Sequence, residues 1–389
     1  VSQQPRNHPF EAGASGPLGG LLVVDFTRVL SGPLATMMLA DLGARVIKVE
    51  HPVTGDDSRG YGPFADDGRS LYFARVNRGK ESIALDLKDE ADLAVARQLC
   101  ARADVVVENY RPGVMDRLGL GADALLALNP RLVVCSISGF GQTGPWAQRP
   151  AYDAVVQAMS GIMAVTGPVG VGQVKPGVPI ADLSAGLYAF GGITSALLGV
   201  ARTGRGTHVD VGMYDATVSL LEGAALRELL HGEDPTSIGN AHFSIAPFDT
   251  FACADREISI CAANDGLFRV LVGTLGRPEL SEHPDYLTNA LRHQHRDALK
   301  ADLEAALRGK PADIWLLELA SAGIPCGPIS TVAEAMASPQ TAARHMVVQA
   351  GDLPAPGQPV KLSTYDDPLE RPAAPALDEH GQAIRAWLT

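Results

Sequence analysis

The chain has 389 residues, enough for two domains with sizeable cores, and with 46% apolar and 20% charged residues it reads as folded throughout. A net charge of −12 argues against nucleic-acid binding, which needs a basic face to displace counterions from phosphates, and favours small-molecule chemistry. The charge is uneven: residues 1–120 carry 14 Lys+Arg against 16 Asp+Glu, so an anionic ligand sits most comfortably in the first third.

Residues 1–15 show no basic run followed by an apolar one and are expected to form a loose arm rather than a secretory signal. From Leu21 the chain alternates between two periods. "LLVVDFT" reads as a strand and "GPLATMMLADLGA" as a helix with Pro33 in its first turn. "RVIKVE", "SIALDL", "DVVVEN" and "RLVVCSIS" follow as strands, separated by a polar excursion over 51–81 and helices over 89–103 and 121–129. β-Branched runs between amphipathic helices predict a parallel sheet covered on both faces, hence an α/β large domain over 16–225.

Residues 152–231 turn largely helical, with a short strand "THVDVGM". The stretch 183–201 carries no charge and approaches membrane-spanning length, but nine of its residues before Leu197 are Gly, Ala, Ser or Thr, so a buried core helix is expected. Residues 226–330 read as a smaller α/β domain: strand "EISICAA", then helices near 265–275, 295–308 and 312–322. The segment 331–389 is expected to return to the large domain, its Pro-rich part from Pro354 running over the surface. Five dispersed cysteines without a C-x-x-C pair predict reduced thiols in a cytoplasmic protein.

"SGFGQTGP" places Gly139, Gly141 and Gly144 at the spacing of a dinucleotide-binding turn, directly after a strand. Pro145 and Pro150 prevent a long helix from starting there, and no acidic residue stands about 20 positions on, so the glycines are expected to allow close approach of a ligand or another chain. His293 and His295 have no companion at metal-ligand spacing, and no metal site is expected. Asp182, in "VPIADLSAG", separates an apolar run from the uncharged helix. It reads as an N-cap or as a carboxylate at an apolar cleft, ionised at neutral pH and able to act as a nucleophile without a general base. Tyr152 and Asp153 open a second helix, and Arg111 and Arg117 lie beyond the end of a strand, where ligands bind in open α/β sheets.

With "VVDFTRVLSGPLATMMLADLGARVIKVEHP", "NRGKESIALDLK", "VVVENYRPGVMDRLGLG", "GFGQTGPWAQRPAYDAV", "ADLSAGLYA" and "GTHVDVGMYDA", the chain resembles the class III CoA-transferases, the group of formyl-CoA transferase and carnitine CoA-transferase, from Gly16 to about Pro368. "GDDSRGYGPF" and "NAHFSIAPFDTF" look most like the succinyl-CoA:glutarate type. The resemblance implies a Rossmann-like large domain, an interlocked homodimer, and coenzyme A or acyl-CoA as substrate with no permanently bound cofactor. It implies Asp182 as nucleophile, passing through an acyl anhydride and an aspartyl-CoA thioester, with Tyr152 near the thioester.

The implied CoA contacts are Val29, Ser31, His51, Leu85, Lys88, Asn109, Tyr110 and Arg117. Arg28 and His242 are candidates for the remote carboxylate of the acceptor, since a cation or an imidazole donor suits that group. "GNAHFSIAPF" stands where formyl-CoA transferase has a glycine run, and His51 where it has arginine, which points away from oxalate or formate. The alternatives left open are a 2-methylacyl-CoA racemase and a catalytically silent acyl-CoA-binding protein. The racemase pattern has "GHD" where this chain has "AYD", and a tyrosine is a poor base at neutral pH.

Overall fold

The apolar runs pair into one six-stranded parallel sheet in this computed structural model, which describes residues 16–171 and 173–389. The expected N-terminal arm lies outside the described residues. In chain order the sheet and its helices are β1 (Leu22–Asp25), α1 (Ser31–Asp41), β2 (Arg45–Glu50), α2 (Leu71–Ala74), β3 (Lys80–Ala84), α3 (Glu90–Arg102) and β4 (Val105–Glu108). There follow α4 (Val114–Arg117), α5 (Ala122–Leu128), β5 (Val133–Ser138), α6 (Asp153–Met159), α7 (Ile180–Thr203) and β6 (Thr207–Gly212).

The strand order β3-β2-β1-β4-β5-β6 is that of a doubly wound Rossmann sheet. Its direction of winding reverses between β1 and β4, where Val23 stands opposite Val46 on one side and Val105 on the other. The two-residue period of β1 feeds two cores: Leu22, Val24 and Phe26 join α3 and Ile83, whereas Val23 joins Ala35, Val107 and the Ala181–Ala185–Ala189 stripe of α7. A crevice outside the carboxyl ends of β1 and β4 follows from this topology.

α7 departs from the expectation of a fully buried helix. It is long and apolar enough to cross a membrane, yet one face packs on the sheet through Ala181, Ala185, Ala189 and Ile193 while Leu187, Tyr188 and Leu198 are exposed. The run of small residues packs one stripe of the helix closely and leaves the opposite stripe uncovered.

By packing, the chain divides into two units. The first comprises the described residues up to Ile162, Lys175–Leu226 and Ser338–Thr389; the second comprises Met163–Val174 and Arg227–Ala337. The second has its own core of Phe251, Ile258, Phe268 and Leu303, with an antiparallel sheet of Phe248–Ala252, Glu257–Cys261 and Cys326–Pro328.

The Pro-rich tail is more than a surface strap. Val347–Ala350, Leu353–Pro356 and Glu370–Arg371 pair into a small sheet, and the chain ends in the helix Gly381–Leu388. Ile384 and Leu388 are four residues apart on one face of that helix and bury in the large unit's core. Arg102 holds its end by donating to the carbonyls of Trp387 and Leu388 at 2.8 and 2.6 Å. The prolines before it had masked a short amphipathic helix. Ile384→Ala is expected to destabilise the protein by about 2–5 kcal/mol, read as a lowered urea midpoint; an unchanged midpoint would show that this helix is not part of the core.

Candidate functional site

Parallel strands covered on both faces are normally apolar, but β1, β2 and β3 carry Asp25, Lys48 and Lys80, whose side chains are wholly buried. Lys80 Nζ donates to Asp25 at 2.9 Å, to Asn77 at 2.8 Å and to the carbonyl of Pro33 at 3.0 Å. Lys48 Nζ reaches the carbonyl of Thr27 at 2.7 Å and Asp56 at 2.9 Å. Asp56 in turn accepts the backbone N–H of Val29 at 3.0 Å and the hydroxyl of Ser58 at 2.7 Å. Burial would raise the carboxyls of Asp25 and Asp56, but the adjacent lysines and hydroxyls outweigh it and hold both below the usual range.

This web fixes the turn between β1 and α1. Val29 sits there at φ 70°, a conformation costly for a β-branched residue. Asn109, at the end of β4, brackets the preceding residue: its side chain accepts from the N–H of Arg28 and donates to the carbonyl of Arg28, both at 2.8 Å. Asn109 therefore acts on the turn through Arg28, across the switch point of the sheet.

Asp182 lies in the first turn of α7 and is not its N-cap. The helix starts after Pro179 with no capping side chain of its own. Asp153, from the first turn of α6, instead accepts the backbone N–H groups of Ala181 at 3.0 Å and Asp182 at 3.3 Å, and also takes a bond from Gln157 at 2.6 Å. The capping role expected of Asp182 belongs to Asp153, and the carboxylate of Asp182 is left for other work. Gly186 lets α7 press on α1: a Cβ at that position would stand 2.7 Å from the carbonyl oxygen of Ser31. The same approach brings the Ser31 hydroxyl to Asp182.

Burial, with Asp153 as a like charge beside it, pushes the Asp182 carboxyl up to about 7, against the Ser31 hydrogen bond and the charge of Arg75. The expectation of a carboxylate ionised without penalty at neutral pH is corrected accordingly, because burial and the like charge of Asp153 hold it well above the usual carboxylate range.

Two clefts meet at this turn. The larger, about 410 Å³, is lined by Arg28, His51, Leu85, Lys88, Tyr110 and Arg117, and the smaller, about 250 Å³, by Arg28, Val29, Ser31, Asn109, Tyr110, Tyr152 and Asp182. Arg28 and Tyr110 line both, the guanidinium lying 5.1 Å from the ring centroid. Cations over an apolar floor of Val49, Leu85 and Val114 suit a long, part-apolar anion. The Nδ1 of His51 accepts from the N–H groups of Val53 and Thr54 at 3.2 and 3.3 Å, which leaves its Nε2–H as a donor.

Leu85 is buried in the core beneath the larger cleft. Tyr152 is 75% exposed at the rim of the smaller cleft. His242 belongs to the second unit. It lines a cavity of about 270 Å³ within the second unit, with Asn240, Phe248 and Lys300.

The glycine motif has a local explanation. A Cβ on Gly139 would lie 2.4 Å from the Cβ of Ala151, so its absence lets the end of β5 pack against the segment that carries Tyr152. The chain makes turns after Gly144, not the helix a dinucleotide fingerprint requires. Sequence reasoning missed Asp25, Lys48, Lys80 and Asp56, and it missed Arg75, whose charge acts on Asp182. Charged residues interrupting otherwise apolar strands were the available signal for the first three.

The profile of CoA-transferase family III matches residues 18–381. An acetyl-CoA:oxalate CoA-transferase of Acetobacter aceti is 52% identical over 371 residues, 95% of each chain. A succinyl-CoA:glutarate CoA-transferase of Homo sapiens is 39% identical over 94% of this chain and 84% of its own. Among solved structures, a CAIB/BAIF family protein from Brucella suis superposes with a TM-score of 0.85 at 44% identity, covering 96% of this chain and all of that one. Relatives named for oxalate and for glutarate both align along nearly the whole chain, so the expectation against oxalate is withdrawn.

The raised carboxyl of Asp182 has a sign that stability measurements can read. Between about pH 4 and pH 7 the native state holds a proton that the unfolded chain has lost, so this residue's contribution to stability falls as pH rises through that window. Asp182→Asn is expected to stabilise the fold by up to about 4 kcal/mol at pH 8 and by little near pH 4. Urea unfolding of both forms at the two pH values checks this, and equal midpoints at pH 8 would contradict a penalised carboxylate.

Proposed function

The chain belongs to CoA-transferase family III, and from that premise we propose that it moves CoA from a donor acyl-CoA to a small carboxylic acid, with Asp182 as the covalent carrier. The observation that carries this reading is the uncapped carboxylate of Asp182 in a narrow cleft that shares Arg28 and Tyr110 with a larger, cation-lined one. CoA lies in the larger cleft, its anionic groups met by Arg28, His51, Lys88 and Arg117, and its thioester reaches Asp182 past Val29 and Ser31.

The ionised carboxylate attacks the thioester carbonyl; the C–S bond breaks, leaving an acyl-aspartyl anhydride and CoA thiolate. The thiolate then attacks the aspartyl carbonyl and expels the donor acid as its carboxylate, which leaves an aspartyl-CoA thioester. The acceptor carboxylate takes the place of the departed acid and the two steps run in reverse. No net proton is consumed, but the first step needs Asp182 ionised. Its raised pKa marks a carboxylate weakly solvated and correspondingly reactive, in surroundings that keep water from the anhydride.

Small dicarboxylic acids are the proposed acceptors, because the relatives named above act on oxalate and on glutarate. The exposed Leu187, Tyr188 and Leu198 of α7 support association with a second copy of the chain, as the family resemblance implies.

Incubation with acetyl-CoA or succinyl-CoA and a panel of mono- and dicarboxylic acids is expected to give new acyl-CoA species by mass spectrometry, abolished in Asp182→Ala. No exchange with any acid would overturn the reading, with α-carbon deuterium exchange then indicating racemisation and tight binding alone indicating a silent protein. The kcat/KM for donor acyl-CoA is expected to rise with pH and level off above about 7, as Asp182 becomes ionised. A flat profile from pH 5.5 to 8.5 would show that another group, or none, limits the step.

A further inference from the structure

Two loops meet at the smaller cleft, one following β4 and the other, with the glycine motif, following β5. Each brings an arginine to the lining: Arg111 from the first and Arg149 from the second, in the cleft that also holds Tyr152 and Asp182. Gln148 Nε2 donates to the carbonyl of Pro112 at 3.4 Å, so the residues beside the two arginines are joined across the gap between the loops.

Both guanidiniums spring from backbone that is held. A proline follows each, Pro112 and Pro150, and keeps the arginine before it out of helical backbone. The loop that carries Arg149 is fixed on either side of that residue. Trp146 meets Phe140 and Tyr214 edge-on, with ring centroids 5.7 and 5.6 Å apart. Ala151 lies so close to Gly139 that a Cβ there would be 2.4 Å from its own. The glycine motif thus seats the loop that delivers Arg149 to the cleft.

Charge sets this pair apart from the rest of the lining. Arg28 pairs with Asp57 at 3.1 Å, whereas Arg111 and Arg149 form no ion pair among the described residues. The remaining acid of the lining is Asp182 itself. Both arginine side chains are exposed, so water satisfies them while the cleft is empty. Once Asp182 is held in the aspartyl-CoA thioester its charge is gone, and the lining then presents two unpaired cations to the acid that enters. A volume of about 250 Å³ suits a small acid.

Resting on the transferase reading, we propose that Arg111 and Arg149 form the subsite for the remote carboxylate of a dicarboxylic acceptor whose other carboxylate reacts at the aspartyl-CoA thioester, and so set a preference for dicarboxylic over monocarboxylic acids. The role first considered for Arg28 passes to this pair, because Arg28 is paired and also lines the larger cleft.

The test uses acetyl-CoA, whose acyl group has no second carboxylate, as donor to the full-length wild type and to the double variant Arg111→Gln, Arg149→Gln. Both positions are exposed, so the fold is expected to tolerate the changes. The readouts are kcat and KM for oxalate, glutarate and butyrate, KM for acetyl-CoA, and the aspartyl-CoA adduct by intact mass. The variant is expected to raise KM for the preferred dicarboxylate by about tenfold or more with kcat little changed, the scale of one lost charge-assisted hydrogen bond. Butyrate transfer, KM for acetyl-CoA and adduct yield should stay within about threefold of the wild type. An unchanged KM for the dicarboxylate, or equal loss on both acid classes, would overturn the proposal. A raised KM for acetyl-CoA with acceptor preference unaltered would assign the arginines to CoA and overturn it as well, as would a wild type that prefers butyrate. A wild type that forms no adduct from any acyl-CoA would overturn the transferase reading itself, which the adduct measurement reports separately.

Discussion

The buried ionic web of Asp25, Lys80, Lys48 and Asp56 is the constraint on which the site depends. Four wholly buried charges, on β1, β2, β3 and the loop after β2, carry a large desolvation cost, offset only while every partner is in place. Such a web does not make the fold more stable than an apolar core would. What it supplies is position: Asp56 grips the N–H of Val29, Lys48 grips the carbonyl of Thr27, and the turn between them cannot relax from its left-handed kink. With Asn109 clamping Arg28 from across the sheet, the residues shared by the two clefts are held from both sides of the topological switch.

Asp182, the proposed nucleophile, is held by a second set of contacts with a different logic. α7 is the longest helix among the described elements, and a carboxylate in its first turn should be favoured by the helix dipole. Burial and the like charge of Asp153 override that tendency. Asp153 is itself needed, since it caps the helix and therefore sets where Asp182 points. One carboxylate orients the other and raises its pKa at the same time, so the placement of Asp182 and a local loss of stability have a common origin.

The fold was legible in the sequence to a large extent, because its signals are local. β-Branched runs and amphipathic spacers located the strands; "RVIKVE" coincides with β2, and "RLVVCSIS" contains β5. The ends were less legible: "SIALDL" begins two residues after the start of β3, whose first two residues, Lys80 and Glu81, are charged. Lys80 is tolerated there only because Asp25, 55 residues earlier, meets it in the interior. The final helix was missed for a related reason, since its two core residues gain their meaning from a sheet laid down at the other end of the chain.

Of the site, the sequence by itself determined which residues carry charge, which turns need glycine, and, through ordered motifs, the resemblance that singles out Asp182. Tertiary structure decided what those groups do. It moved the helix cap from Asp182 to Asp153, turned Asn109 into a clamp on Arg28, and stacked Arg75 on Tyr72. Residue type and spacing record propensity and composition, whereas pKa, capping and ion pairing depend on which distant side chain comes within a few ångströms and how much water remains between them.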